Sequence, residues 1–288
     1  MTAPETMPPV RRIGFAFNPT SDPAIELRER ASSWADAHGV ASWAAQAADR
    51  EALHRELPGS DILVVLGGDG TFLRAARAVI EDDVPILGIN VGKVGFLSKV
   101  EAGELERVLA HLVEGRYTIE PRMALEGRIL RAGSSLPGDR LVALNDIVVA
   151  RGSLARVVRL DTSIDSSHLA SFVADGLVIA SPTGSTGYSF SAGGPILDPT
   201  ARNLVVTPIA GYLTTIRSVV VGPEAVVRCR VVGADESLVS IDGREDIPLE
   251  VGDIVEVRAI ERPVRLVEPE GSLPFWDLFR QKVELLPS

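Results

Sequence analysis

A doubly wound, Rossmann-like α/β domain, then a β-sandwich-type domain, with the last helix returning to the first, is the fold this sequence predicts. Three observations predict it. Up to residue 121, short β-branched apolar runs alternate with segments of helical spacing. From 122 to 267, β-branched runs are separated by Gly, Pro, Asp and Ser, with no long helical period between them. The end of the chain, 275–285 (FWDLFRQKVEL), regains apolar spacing of three and four. The predicted division is an α/β domain over 1–121 and 268–288, and an all-β domain over 122–267. At 288 residues the chain has room for both.

The first strand spans 12–17 and ends at Asn18-Pro19, a loop signal that leaves Asn18 where it can face a ligand. Helical spacing follows over about 24–38. The Ala-rich stretch 41–48, with Trp43, fits helix or strand. Residues 62–66 (ILVVL) form an unbroken apolar run, as in a parallel strand covered on both faces, and 72–80 is the helix after it. A strand over 86–89 and a helix over 102–114 complete the alternation. The β runs of the second part are 124–130, 141–150, 157–164, 168–174, 177–181, 203–208, 226–232, 238–242, 254–259 and 264–266.

Composition excludes several function classes. Net charge is −10 with no block of Lys or Arg, so neither nucleic acid nor an anionic membrane is an expected partner. No run of eighteen apolar residues occurs, and the start has no apolar segment before Arg11-Arg12; a cytoplasmic protein is expected. The lone cysteine, Cys229, rules out an intrachain disulfide and a Cys-based zinc site. His38, His54, His111 and His168 lie in no metal-ligand spacing, and no metal is assigned to protein side chains.

Chemistry concentrates where strands end. Gly67, Gly68, Asp69, Gly70 and Thr71 join strand 62–66 to the next helix, at the carboxyl end of a strand, where open α/β sheets bind ligands. Glycines let backbone N–H groups approach phosphates there. Asp69 is the unexpected member, because a carboxylate in a phosphate cradle repels the ligand unless it takes a proton, accepts a hydroxyl or binds a cation. Asp69 as a helix N-cap in an ordinary turn is the plainer reading. A second glycine-bearing segment, 88–97 (GINVGKVGFL), follows the next strand and converges on the same sheet edge.

In the second part, 174–199 (ADGLVIASPTGSTGYSFSAGGPILDP) offers many hydroxyls and glycines, a composition suited to a nucleotide, though a Gly/Ser-rich hairpin loop would also use it. Asn145-Asp146 interrupts the apolar run 141–150. A buried polar pair needs partners, from the backbone or from a ligand such as a ribose diol. Asp175-Gly176 and Asp242-Gly243 read as turn dipeptides.

Taken in order, GGDGTFLRAAR (67–77), GINVGKVGFL (88–97), ALNDIVV (143–149), DGLVIASPTGSTGYSFSAGGPI (175–196) and the terminal FWDLFRQKV resemble the inorganic polyphosphate/ATP-NAD kinase family, over almost the whole chain. GGDGT alone is shared with lipid kinases and phosphofructokinases; the 175–196 segment is the specific part. The resemblance implies an enzyme that moves a phosphoryl group from ATP, or from polyphosphate, to the 2′-hydroxyl of the adenosine ribose of NAD, with a divalent cation, Mg²⁺, to give NADP. It implies Asp69 as the base, with Gly67, Gly68, Gly70, Thr71 and Arg74 on the phosphate side. It places Asp69, Gly70, Phe96, Asn145, Asp146, Asp175, Thr183, Thr186, Gly187 and Tyr188 around NAD. Asp175 would reach NAD on a neighbouring subunit, which implies a homodimer or homotetramer.

Departures from the family pattern are Asp146, where Glu is common; Phe172 and Gly187, for Tyr and Ala; and 208–218, where Pro-His and Arg-Pro are usual but Arg217 precedes Ser218. That last segment motivates a second reading, a dinucleotide-binding regulatory protein without transfer activity. A lipid or sugar kinase sharing GGDGT is a third.

Overall fold

The computed structural model describes residues 7–92, 94–134, 136, 138, 140–153, 157–212, 215–233 and 236–284. Two compact units emerge: Met1–Pro121 with Val264–Ser288, and Arg122–Pro263.

The first unit opens with β1 (Arg12–Phe17), α1 (Asp22–Ala37), β2 (Ala41–Gln46) and α2 (Arg50–Glu56). It continues through β3 (Ile62–Leu66), α3 (Asp69–Asp82), β4 (Ile86–Asn90), the two-residue β5 (Val100–Glu101), α4 (Leu105–Val113) and β6 (Tyr117–Arg122). β3 and β4 are buried at every residue, which is why each reads as an unbroken apolar run. The ambiguous Ala-rich stretch is β2, a strand paired in parallel with β1. The sequence reading missed α2. Its seven residues are too short for a clear helical period, but Asp49 caps it by accepting from the Ala52 N–H at 3.0 Å.

The second unit holds β7 (Leu125–Leu130), β8 (Arg140–Ala143), β9 (Asp146–Arg151), β10 (Val158–Ile164), β11 (Ser167–Ala174) and β12 (Gly176–Ala180). After one short helical turn, α5 (Tyr188–Ser191), come β13 (Leu204–Ile209), β14 (Val219–Val221), β15 (Val227–Gly233), β16 (Ser237–Ile241), β17 (Glu245–Leu249) and β18 (Ile254–Ala259). They form two sheets, ordered β11-β10-β15-β18-β7-β8 and β14-β13-β12-β9-β16-β17. Inward residues of both, among them Leu125, Leu160, Phe172, Val255, Val149, Ile179 and Val239, share one core: a β-sandwich. Phe172 belongs to that core and is buried. Cys229 is also buried there, and burial pushes its thiol up to about 12, which makes it a small hydrophobe.

The second sheet is covered on its other face too. Val148, Val178, Ala180 and Val205 pack there with Leu197 from the hydroxyl-rich segment. The expected single run over 141–150 is two strands, β8 and β9, parted at Leu144 and Asn145.

The chain then returns to the first unit through β19 (Val264–Pro269) and α6 (Phe275–Glu284). Residues 264–266, expected in the all-β part, instead belong to β19, which pairs in parallel with β4 in a sheet ordered β2-β1-β3-β4-β19-β6. Its apolar run does not reveal which sheet it joins, so the expected boundary at 267 moves to 263. Phe275 and Phe279 of α6 pack on Phe96, and Lys282 lies over the Phe96 ring and donates to the Val94 carbonyl.

Candidate functional site

In the first unit the site is built at the carboxyl ends of β3 and β4. The Gly67 N–H still donates to the Ile89 carbonyl, so this residue serves the turn's shape and its N–H is committed to the sheet. A Cβ at Gly67 would stand 2.8 Å from Thr71 Oγ1, closer than side chains tolerate. Gly68 is the N-cap of α3, and Asp69 is the helix's first residue. The plainer reading, with Asp69 as the cap, is corrected: its carboxylate turns away from its own helix. Oδ2 accepts from the Phe96 N–H at 2.8 Å, and Oδ1 from the N–H groups of Leu97 and Ser98 at 3.1 and 3.0 Å.

The two glycine segments expected to converge are therefore joined through Asp69. An ionised carboxylate has about four acceptor positions. Three are taken here by described residues, and Oδ2 keeps one. Gly95 makes this possible. A Cβ there would lie 2.6 Å from Oδ2 and would overlap Cγ and Oδ1. Sequence reading gave Gly95 no role of its own, and the only signal was a glycine just before Phe96.

Asn90, buried at the end of β4, was also missed. Its Oδ1 accepts from the Gly92 N–H at 2.7 Å, and its Nδ2 stands 4.0 Å from where a Cβ on Gly68 would be. A polar residue closing the run ILGIN was the available signal. Gly70 is exposed, Thr71 is buried, and Arg74 points to solvent one turn into α3. Asn18 is half-buried after β1, and its Oδ1 accepts from the backbone and hydroxyl of Thr20, so it works as a turn.

In the second unit, the break between β8 and β9 meets the segment after β12. The Ser181 N–H donates to the Asn145 carbonyl at 2.8 Å, and Ser181 Oγ to the Leu144 carbonyl at 2.5 Å. Gly184 lies on the Asn145 backbone so closely that a Cβ would overlap its carbonyl. The Asn145 amide and the Asp146 carboxylate converge on Gly187: a Cβ there would be 3.8 Å from Asn145 Nδ2 and 3.9 Å from Asp146 Oδ2. Asn145 Oδ1 is buried with no hydrogen-bond partner among the described residues. Asp146 is 5% exposed; burial, reinforced by the Asp242 carboxylate, pushes its carboxyl up to about 7.

Asp242 does more than form the expected turn dipeptide. It is 8% exposed and accepts from the N–H groups of Leu144, Asn145 and Asp146.

Thr183 is buried and accepts from Arg122 Nη1 at 3.3 Å; Thr186 Oγ1 donates to the Thr183 carbonyl at 3.2 Å. Arg122 was another residue missed, since nothing in PRMAL marks a buried guanidinium. Tyr188 is 48% exposed, an unspent aromatic beside Gly187. Asp175 lies at the far end of β12, about 20 Å of strand from Ser181, and pairs with Arg151 through Nε at 3.1 Å and Nη2 at 3.1 Å. It does not join the cluster around Asn145.

Of the altered 208–218 segment, 213 and 214 lie outside the described residues. Ala210 is left-handed at φ 46°, Tyr212 is exposed, and Ser218 hydrogen-bonds Thr207 at 3.1 Å. Among the described residues no group of three or more His, Cys, Asp or Glu is gathered as a metal-ligand set, and no helix is long and apolar enough to cross a membrane.

Comparison with known proteins agrees with this geometry. The family model for the ATP-NAD kinase N-terminal domain matches residues 43–117, and that for the C-terminal domain matches 144–269. The chain is 36% identical to an NAD kinase of Syntrophotalea carbinolica over 283 residues, 95% of this chain and 98% of that protein. It is 44% identical to an NAD kinase of Symbiobacterium thermophilum over 228 residues, 77% of this chain and 78% of that protein. Among solved structures it resembles yeast NADH kinase complexed with NADH (TM-score 0.83, 22% identity, 97% of this chain and 89% of that one). It also resembles an NAD kinase from Archaeoglobus fulgidus in complex with ATP (TM-score 0.75, 25% identity, 95% and 99%). With both domain models matched in order and full-length relatives above 30% identity, the chain belongs to the ATP-NAD kinase family.

Proposed function

We propose that the chain phosphorylates NAD at the 2′-hydroxyl of the adenosine ribose, with ATP as donor, to give NADP. The observation that carries this reading is the Asp69 carboxylate. It is fixed by three backbone N–H groups at a strand's carboxyl end, yet one acceptor position of Oδ2 is unfilled by the described residues. A hydroxyl bound there donates to Oδ2 and loses its proton to it as the phosphoryl group arrives. Phosphoryl transfer needs position and charge neutralisation more than covalent help.

The other roles follow from the same chemistry. Gly68, Gly70, Thr71 and the exposed Arg74 face the donor phosphates at the start of α3. Mg²⁺ would arrive with ATP and would neutralise charge on its phosphates. Asn145 and Asp146 take the ribose hydroxyls; that Asn145 Oδ1 has no partner among the described residues supports this. Thr183, Thr186, Gly187 and Tyr188 surround the dinucleotide, with Phe96 against it in the first unit. Asp175, steered by Arg151, serves NAD of a neighbouring subunit in a homodimer or homotetramer, and the compartment is the cytoplasm.

The test is NADP formation from NAD by the purified chain with Mg²⁺, comparing ATP with polyphosphate, alongside Asp69→Asn. NADP formed by the native chain, with turnover about 10²-fold lower in the variant, is the expected result. Near-native turnover in Asp69→Asn removes the base role. NAD binding without NADP from either donor would favour the regulatory reading.

A further inference from the structure

Leu144 and Asn145 in the gap between β8 and β9, with Asp146 at the start of β9, present three successive backbone N–H groups, and no neighbouring strand pairs with all of them. Left unpaired in a buried position, each would be costly. Asp242 meets all three. Oδ1 accepts from Asn145 at 2.8 Å and from Asp146 at 3.2 Å, and Oδ2 from Leu144 at 3.1 Å; the Asp242 N–H donates back to the Asp146 carbonyl at 3.0 Å. To reach them, Asp242 adopts a left-handed conformation, φ 51°, directly after β16. Asp and Asn tolerate that conformation better than most residues.

The carboxylate thus works like an anion in a concave row of amides, with charge-assisted bonds. A neutral turn could also close this gap. What the carboxylate adds is a fixed curvature, under which the Asn145 amide and Asp146 Oδ2 both approach Gly187.

We infer that Asp242 is a positioning residue for the dinucleotide, setting the spacing between the Asn145 and Asp146 side chains that hold it. The inference rests on the reading that these two side chains bind NAD. Asp242 itself touches backbone, and it acts through the pair. Its proximity also favours the protonated form of Asp146, so the arrangement keeps one carboxylate spent on structure beside one available to ligand.

The experiment measures steady-state kinetics of Asp242→Asn, Asp242→Ala and Asn145→Ala, with NAD and ATP varied separately and folding followed by circular dichroism. Asparagine keeps one oxygen acceptor in nearly the same shape, whereas alanine keeps none. The expected result is a rise in KM for NAD of about threefold in Asp242→Asn and about tenfold or more in Asp242→Ala, with KM for ATP little changed. A merely structural role would lower the active fraction, and so apparent kcat, without moving KM for NAD. If Asn145→Ala raises KM for NAD and the folded Asp242→Asn variant does not, the positioning role is overturned while the ribose reading stands. If Asn145→Ala leaves KM for NAD unchanged, the ribose reading fails and the inference falls with it.

Discussion

Gly95 lies against the Asp69 carboxylate so tightly that a Cβ at 95 would stand 2.6 Å from Oδ2 and would overlap Oδ1. The position of the proposed base is therefore set by a residue without a side chain, on a different loop. Gly95→Ala is expected to force the carboxylate out of its three backbone hydrogen bonds and to lower turnover by about 10²-fold, similar to loss of the base itself. Its far-ultraviolet spectrum should remain native. Assay beside Asp69→Asn checks this, and an active Gly95→Ala enzyme would show that the tether is dispensable.

The proposed ribose ligand Asp146 would link binding to pH. Its carboxyl is raised to about 7 by burial and by Asp242, so the free protein is stabilised by the bound proton at low pH, and that contribution is lost as pH rises through about 7. NAD affinity should move the opposite way, because the ionised carboxylate is the better acceptor for ribose hydroxyls. Melting temperature without NAD should fall between pH 5 and 8 while the dissociation constant for NAD decreases. Asp146→Asn should flatten both trends, as followed by thermal melts and calorimetry.

Tyr188 is half exposed and carries little of the core. Tyr188→Ala is expected to weaken NAD binding by about tenfold, from lost aromatic contact, with stability changed by less than about 0.5 kcal/mol. Titration calorimetry and a urea melt separate the two. Unchanged affinity with collapsed turnover would displace the 183–188 segment from around the dinucleotide.

Glu126 is a control outside the proposed site residues. Burial works against its charge, but hydrogen bonds from Arg140, Arg258 and Arg128 outweigh that and hold its carboxyl down at about 2. Its folded value is depressed, so its contribution is present above about pH 4.5 and is lost as pH falls toward 2. Glu126→Gln should cost about 2 kcal/mol near neutral pH and less in acid, by urea melts at pH 7 and pH 3.

Much of this was legible in the chain. β3 and β4 announce themselves because both faces are covered, and alternation in β15 and β18 marks a half-solvated sheet. The residues gathered at each site were less so, since their roles depend on partners distant in sequence. Gly95 matters because of Asp69, and Asp242 because of three amides about a hundred positions earlier. A motif shows which residue does the chemistry, but the residue that holds it in place has only an ordinary local context. The start of β19 is assigned to the wrong unit for the same reason: a run as short as Val264-Arg265-Leu266 does not say which sheet it enters.

The placement of β19 between β4 and β6 also bears on how the protein is made. A ribosome releases β4 and β6 early, but the strand that separates them emerges only after all of residues 122–263. Until then the Ile86 end of β4 has no Leu266 beside it, and Lys99 lacks its partner Glu268. The glycine turn is synthesised long before the sheet beneath it can close, a long-range pairing of the kind that folds slowly. Chains that stop short of β19 should accordingly be prone to edge-to-edge association and inactive, however complete their sequence motifs.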